Sequence, residues 1–479
     1  MSRNAGATTT YFPSSDQSVE RLARHILQAF HLYVRLPRAL STRFPLEIIA
    51  RVEYSLNSWV DNINYIFSIV RADLPRTSLA RWASLSFSLS VLTYLFSIAI
   101  TQSFLALAGV LFAAHLLRHR PRLNFPPIKA PLLLFCLFTV ISVLWATNRG
   151  AGLFAVRKLV LFLIILMAVN LIVSRRHLVW LWKGLFVEAA FVGLIAAGQF
   201  VRQYRMVSAE HPHHVYAYMI TTRITGLMGD WMNFGGQQML VFILLVAFLL
   251  LALRAGWVWW VVAAIVALSI VLNLTRGVWL GCFFAMVYLL WRWKPRWVVA
   301  LPVLAVVVYL FSPRMVHERL WLALHPTRDP ALAIRFEMWE VGLNMVKAHP
   351  WVGVGPNNIP QVYDLYLPKG HAPIAGYHYH LHDNFIQFGA ERGLPCLVAW
   401  VWLMAALLWG MWKVRRRCGA GRWMVDGALA AWLAFVVEGF FEFNFGTSPV
   451  LMVFLFVVST PFVVGKLEDA AGGEKTAAR

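Results

Sequence analysis

Val258-Trp259-Trp260-Val261-Val262-Ala263-Ala264-Ile265-Val266-Ala267-Leu268-Ser269-Ile270-Val271-Leu272 is the stretch that decides the fold. It carries no charge, and Ser269 is its only hydroxyl. After Asn273-Leu274-Thr275 and a single Arg276, a second apolar run extends from Gly277 to Trp291. A helix rises about 1.5 Å per residue and the hydrocarbon core of a bilayer is about 30 Å thick, so apolar blocks of about 16 to 21 residues read as membrane spans. Arg276 is the exception. A permanent charge between two spans must reach the head groups or pair with something buried or bound.

The same pattern recurs along the chain. Its 479 residues are 59% hydrophobic and only 14% charged, where soluble domains carry about 25% charge. Buried helices of a large soluble enzyme mimic one or two such blocks, not a dozen. Spans are expected at 83–100, 101–117, 128–146, 155–173, 179–199, 235–252, 257–272, 277–291, 296–312, 394–413, 424–441 and 446–465. The expected fold class is an all-α polytopic membrane protein with about twelve transmembrane helices and a large external loop before the tenth. Spans 83–100 and 101–117 are nearly continuous and read as a hairpin or as one long bent helix.

Basic clusters orient this bundle. Arg71, Arg76 and Arg81, then Arg118, Arg120, Arg122 and Lys129, then Arg175 and Arg176, then Arg254, then Arg292, Lys294 and Arg296, and finally Lys413, Arg415, Arg416, Arg417 and Arg422 all fall on one side. Both termini are then cytoplasmic. Residues 1–82 make a cytoplasmic N-terminal region, where apolar residues broken by Pro37 and Pro45 suggest amphipathic helices. Residues 83–465 make the transmembrane domain and 466–479 a cytoplasmic tail. The net charge of +21 is largely orienting charge, which also meets anionic lipid head groups. Membrane lipid is therefore an expected partner. Nucleic acid is not, since no zinc pattern, phosphate loop or DNA-reading helix is present. Cys136, Cys282, Cys396 and Cys418 include no C-x-x-C, and no disulfide is expected.

Two loops, 200–234 and 313–393, hold the polar residues on the external face. The second is too long for an idle connection. Within it Ala333 to Val346 is periodic, with Trp339, Leu343 and Val346 expected on one side. His349-Pro350-Trp351-Val352-Gly353-Val354-Gly355-Pro356-Asn357-Asn358 combines prolines with alternating glycines, which suits a tight turn or close backbone approach. Next come His380-Leu381-His382-Asp383-Asn384, Gln387 and Glu391, where a helix enters the membrane. Asp383 or Asn384 reads as its cap. The histidines read as a general base at an external face. A metal pair is the alternative, weakened because no second matching pair accompanies H-x-H.

Arg223, ahead of Asp230 and Asn233, lies on the same face as Arg276, as does Arg157 beside Lys158. All three break the rule that positive charge stays inside. A guanidinium's planar fork suits phosphate oxygens, so these arginines beside a histidine suggest an anionic ligand such as a diphosphate-linked lipid. Pairing of each with a carboxylate or a lipid phosphate is the plainer alternative.

Five ordered pieces carry a resemblance. They are Arg223-Ile224-Thr225-Gly226-Leu227-Met228-Gly229-Asp230-Trp231-Met232-Asn233, Leu274-Thr275-Arg276-Gly277-Val278-Trp279-Leu280-Gly281, Arg335-Phe336-Glu337-Met338-Trp339, His349 to Asn357, and His380 to Gln387 running into Glu391-Arg392-Gly393-Leu394-Pro395. Over about residues 130–465 the chain resembles the bacterial O-antigen ligases and the related O-antigen polymerases. The resemblance implies an inner-membrane glycosyltransferase with a periplasmic active site. It would move a glycan from undecaprenyl diphosphate to a lipid A–core sugar, with inversion and with neither cofactor nor metal. His382 or His380 would be the base, since Asp383 separates the histidines from the Asn384 that usually follows directly. Arg223, Arg276 and Arg157 would bind the donor diphosphate, with Asn384, Glu391, Arg335 and Glu337 in support. A polymerase of O-antigen or exopolysaccharide and a protein O-glycosyltransferase share these motifs. A polysaccharide transporter or flippase is the reading from another class, disfavoured because the span interiors carry almost no charge.

Overall fold

In a computed structural model, residues 73–252, 255–311, 314–325, 330–370, 380–419 and 421–477 are described. The expected amphipathic helices of residues 1–72 lie outside them. All regular structure among the described residues is helical. In chain order the main helices are α1 (Ser78–Val91), α2 (Ile98–His119), α3 (Lys129–Leu144), α4 (Arg149–Arg157), α5 (Leu163–Leu171), α6 (Arg175–Glu210), α7 (Val215–Thr221), α8 (Trp231–Leu251), α9 (Val258–Leu272) and α10 (Arg276–Trp293). Then follow α11 (Ala300–Phe311), α12 (Arg314–Leu324), α13 (Pro330–Ala348), α14 (Ile359–Val362), α15 (Asn384–Arg417), α16 (Arg422–Glu438) and α17 (Ser448–Ala477). Among the described residues, six helical segments are long and apolar enough to cross a membrane: α2, the composite 149–171, α6, α8, α15 and α17. The chain is a polytopic helical membrane protein.

Short polar side chains start several helices as the sequence suggests. Asn148, Ser174, Asp230 and Asp383 each accept backbone N–H bonds from the first turn that follows. Helices α8 and α17 lie at the centre, with 78% and 83% of their most apolar windows buried, against 22% for α2. The exposed face of α2 is apolar, Leu107, Val110 and Leu117 among it, as lipid contact requires.

Several boundaries differ from expectation. The first two spans form a hairpin, α1 packed on α2, and the chain turns at residues 92–97 rather than at residue 100. The Thr93 hydroxyl accepts from or donates to Thr101 at 3.1 Å, and Thr101 bonds back to the Thr93 carbonyl at 2.7 Å, closing the turn early. The span expected at 155–173 begins at Arg149 and passes through a tighter 3-10 turn at Lys158–Phe162. Helix α6 continues to Glu210, so the loop expected at 200–234 starts as helix.

The long loop has a small core of its own, built on Met338, Val341 and Met345 of α13 with Ile359, Tyr363 and Leu381. Of the three residues expected on one side of α13, Val346 packs against this core, while Trp339 and Leu343 do not belong to it. Leu343 is exposed, and the other two are half-buried. Gly342 sets this face, because a Cβ there would meet Ile386 at 2.4 Å and Leu381 at 2.6 Å.

The glycine-rich run does make a close backbone approach. Helix α15 breaks at Gly393 (φ 79°), and residues 350–355 dock into the break. Leu394 donates its N–H to the Pro350 carbonyl at 2.7 Å, Val354 to Ala390 at 2.9 Å and Gly355 to Glu391 at 2.9 Å. A Cβ on Gly353 would sit 2.3 Å from the Glu391 carbonyl carbon, so only glycine fits.

Candidate active site

The histidines stand at the mouth of α15. Asp383 caps that helix, accepting the Ile386 N–H at 2.7 Å. One residue earlier His382 holds φ 50°, a left-handed conformation that histidine enters more readily than most residues. Leu381 is fully buried, and its N–H donates to Gln387 Oε1 at 2.7 Å. With Leu381 anchored inward, His380 and His382 come together with ring centroids 4.2 Å apart.

Both rings meet one carboxylate, Glu442, in the loop between α16 and α17. His380 Nε2 donates to Glu442 Oε1 at 2.9 Å, and His382 Nδ1 donates to Oε2 at 2.9 Å. The Phe443 N–H adds a bond to Oε1 at 3.1 Å. Glu442 is buried, which by itself would favour the neutral acid. His382 and His380 outweigh burial and hold its carboxyl well below the usual carboxylate range. For His380 burial opposes protonation, but Glu442, with Asp230 and Glu391 farther off, raises its pKa above the ordinary histidine value.

A brace fixes the Glu442 loop to the start of α15. The Asn384 N–H donates to the Gly439 carbonyl at 2.8 Å, its Nδ2 to Asn444 Oδ1 at 2.7 Å, and its Oδ1 accepts the Phe445 N–H at 3.3 Å. Asn444 in turn donates to Glu438 Oε2 at 3.0 Å. Lys158 Nζ donates to the Gly446 carbonyl at 2.6 Å. Asn384 therefore acts on loop geometry. Glu391 does the same for the glycine-rich run: its Oε1 accepts the Asn357 N–H at 2.8 Å, and Arg392 Nε lies 3.9 Å from Oε2. Glu337 is close enough to Tyr363 to add to burial in pushing that phenol up to about 12.

The arginines gather nearby. Arg223 Nε donates to the Ile220 carbonyl at 2.9 Å, a terminal nitrogen reaches Thr275 Oγ1 at 3.4 Å, and the guanidinium lies 5.2 Å from the Trp231 ring centroid. Burial, then the charges of Arg319 and Arg335, then Arg276, pull its pKa down to about 9. It remains a cation at neutral pH, in a neighbourhood of cations. Arg276 and Arg335 line a cavity of about 420 Å³ whose other walls include Trp279, Phe283, Leu320 and Phe441. Phe441 directly precedes Glu442, so the cavity and the histidine site share one loop. Arg157 stands apart. It is exposed, with its guanidinium 5.3 Å from the Phe154 ring, and no described contact joins it to Arg223, Arg276 or the histidines.

Two residues at this site escape a reading of the sequence. Glu442 falls between the last two spans, where Glu438 and Glu442, four apart in an apolar stretch, are the signal. Arg319 sits in the long loop with no motif around it. The ring nitrogens and carboxylate oxygens of His380, His382 and Glu442 lie within 4.8 Å of one another, close enough to hold a metal ion.

Apolar spanning helices, a carboxylate bridging two histidines and an arginine-lined cavity beside them define a polytopic membrane protein with the furnishings of an enzyme. Residues 261–401, less than half of the chain, match the family model described as O-antigen ligase. The match includes Arg276, Arg335, His380, His382 and Glu391, while Arg223 and Glu442 lie outside it. No curated protein matches the chain. The match supports a ligase- or polymerase-like glycosyltransferase function, and the long apolar helices support a polytopic inner-membrane protein.

Proposed function

We propose that this chain transfers a glycan from undecaprenyl diphosphate to a lipid A–core sugar at the periplasmic face. The observation that carries the reading is the pairing of His380 and His382 with Glu442 on the loop whose Phe441 walls the Arg276–Arg335 cavity. Twelve spans, cytoplasmic termini and periplasmic loops at 200–234 and 313–393 are the topology that goes with it.

In this scheme Arg276, Arg335 and Arg223 hold the diphosphate, and the apolar walls take the first isoprene units. Arg157, exposed and apart from the cavity, draws in the anionic carrier at long range. Glu442 accepts a hydrogen bond from the Nδ1–H of His382, which leaves Nε2 as the basic nitrogen. His382 Nε2 takes the proton from the acceptor hydroxyl while the oxygen attacks the anomeric carbon. The bond from that carbon to the diphosphate oxygen breaks, the carrier diphosphate leaves with the electron pair, and the configuration inverts. The arginines stabilise charge that grows as the bond breaks. His380, on the other carboxylate oxygen, keeps Glu442 ionised.

This chemistry needs no metal. In this scheme Glu442 is taken up by the two histidines at 2.9 Å and arginine supplies the counter-charge, while the same three side chains lie close enough to hold a cation, so metal dependence is part of the test. The test of function is deletion of the gene followed by lipopolysaccharide gel analysis. Loss of all O-antigen with carrier-linked polymer accumulating is the expected result. A single repeat left on the core indicates a polymerase. Unchanged lipopolysaccharide overturns both.

A further inference from the structure

The connection from α9 to α10 turns through Asn273, Leu274 and Thr275, and Leu274 holds φ 56°. A left-handed leucine is disfavoured, because its Cβ crowds the following carbonyl oxygen. With neither glycine nor asparagine at this position, the surroundings must impose the conformation. Arg319 is placed to do so. Its buried side chain comes from α12, and its Nε donates to the Leu274 carbonyl at 3.1 Å.

The turn is tied on its other side to the Arg223 segment. Asn273 Nδ2 donates to the Trp231 carbonyl at 3.0 Å and to the Ile224 carbonyl at 3.4 Å. Thr275 Oγ1 accepts from Arg223 at 3.4 Å. The next residue is Arg276, on the cavity wall, and Leu320 and Leu322 of α12 line that same cavity.

We propose that Arg319 is a positioning residue: it clamps Leu274 in the left-handed turn and so sets Arg276 and Arg223 at the spacing that grips a lipid-linked diphosphate. The inference rests on the reading of the cavity as the donor site. Arg319 works through the backbone rather than on the phosphate, so its loss is repairable. A residue that adopts positive φ unaided removes the need for the clamp.

The experiment measures binding of radiolabelled undecaprenyl diphosphate to the purified full chain in lipid nanodiscs, alongside melting temperature. Arg319→Ala is expected to weaken binding about tenfold. Adding Leu274→Gly, or Leu274→Asn, to Arg319→Ala should restore most of it, since both residues tolerate the left-handed region. Arg319→Met keeps the buried stem without the donors and reads the same way if Arg319→Ala melts early. Binding that stays weak in both double variants, or that is unchanged by losing Arg319, overturns the inference. Arg276→Ala separates the two levels. If it binds the carrier like the parent, the donor reading fails. If it loses binding while Arg319→Ala keeps it, only the positioning role fails.

Discussion

His382 and Glu442, sixty residues apart in the chain, are joined by a 2.9 Å hydrogen bond from Nδ1 to Oε2. The bond orients the ring and selects the tautomer that has Nε2 free to accept a proton. Glu442→Gln keeps the size but offers an amide to one ring and removes the charge from both. Transfer should fall about a hundredfold or more with protein level in the membrane unchanged. Parental turnover in this variant would mean the carboxylate only packs the loop.

The pH dependence of stability follows from the same pair. His380 is raised above about 6.5, the ordinary histidine value. Its contribution is fully present below that pH and fades as pH rises through its raised value. Glu442 is held low by the two histidines against the effect of burial, so its contribution is present above about pH 4.3, the ordinary glutamate value, and disappears as pH falls through its lowered value. The melting-temperature gap between the parent and Glu442→Gln should be widest between these limits and narrow on the alkaline side. A gap that widens from about pH 7 upward contradicts the charged pair.

Arg276→Lys keeps a positive charge on the cavity wall but loses the planar fork. A single ammonium cannot make the paired bonds that a guanidinium makes to a phosphate. The KM for lipid-linked donor should rise by about tenfold, a loss of about 1.4 kcal/mol. An unchanged KM would make Arg276 a structural residue.

Gly353→Ala tests the docking of the glycine-rich run. Its φ of 66° and the 2.3 Å approach of a new Cβ to Glu391 act together. Gly370→Ala has a φ of 87° and nothing within 4 Å, so it carries the backbone penalty alone. The backbone term costs about 1 to 3 kcal/mol. Gly353→Ala should therefore lower the melting temperature more than Gly370→Ala does. Equal losses would show that the approach to Glu391 contributes nothing.

Much of this arrangement was legible in the residues themselves. Uncharged blocks marked the membrane helices, and Asp383 read as a cap. The alternating glycines of 350–355 allow a tight turn or a close backbone approach, and it is the approach that forms. Glu442 was hidden because pairing with His382 crosses sixty residues, and helical periodicity carries no information about loops that meet across a bundle. Periodicity places Trp339, Leu343 and Val346 on one side of α13 without saying which side packs, because Met338, Val341 and Met345 are apolar at helical spacing too. The approach of Ile386 and Leu381 to Gly342 fixes which side packs. The early turn near Thr93 depends on hydroxyl bonds within an apolar run, which hydropathy does not register.

The most direct test of the account is transfer by the purified chain in lipid nanodiscs, with an undecaprenyl diphosphate-linked glycan, a lipid A–core acceptor and excess EDTA. The parent should form glycosylated lipid A–core under these conditions, and His382→Ala should form none while still binding the carrier. Activity abolished by EDTA and restored by a divalent cation, or full activity in His382→Ala, would contradict a metal-free mechanism with His382 as the base.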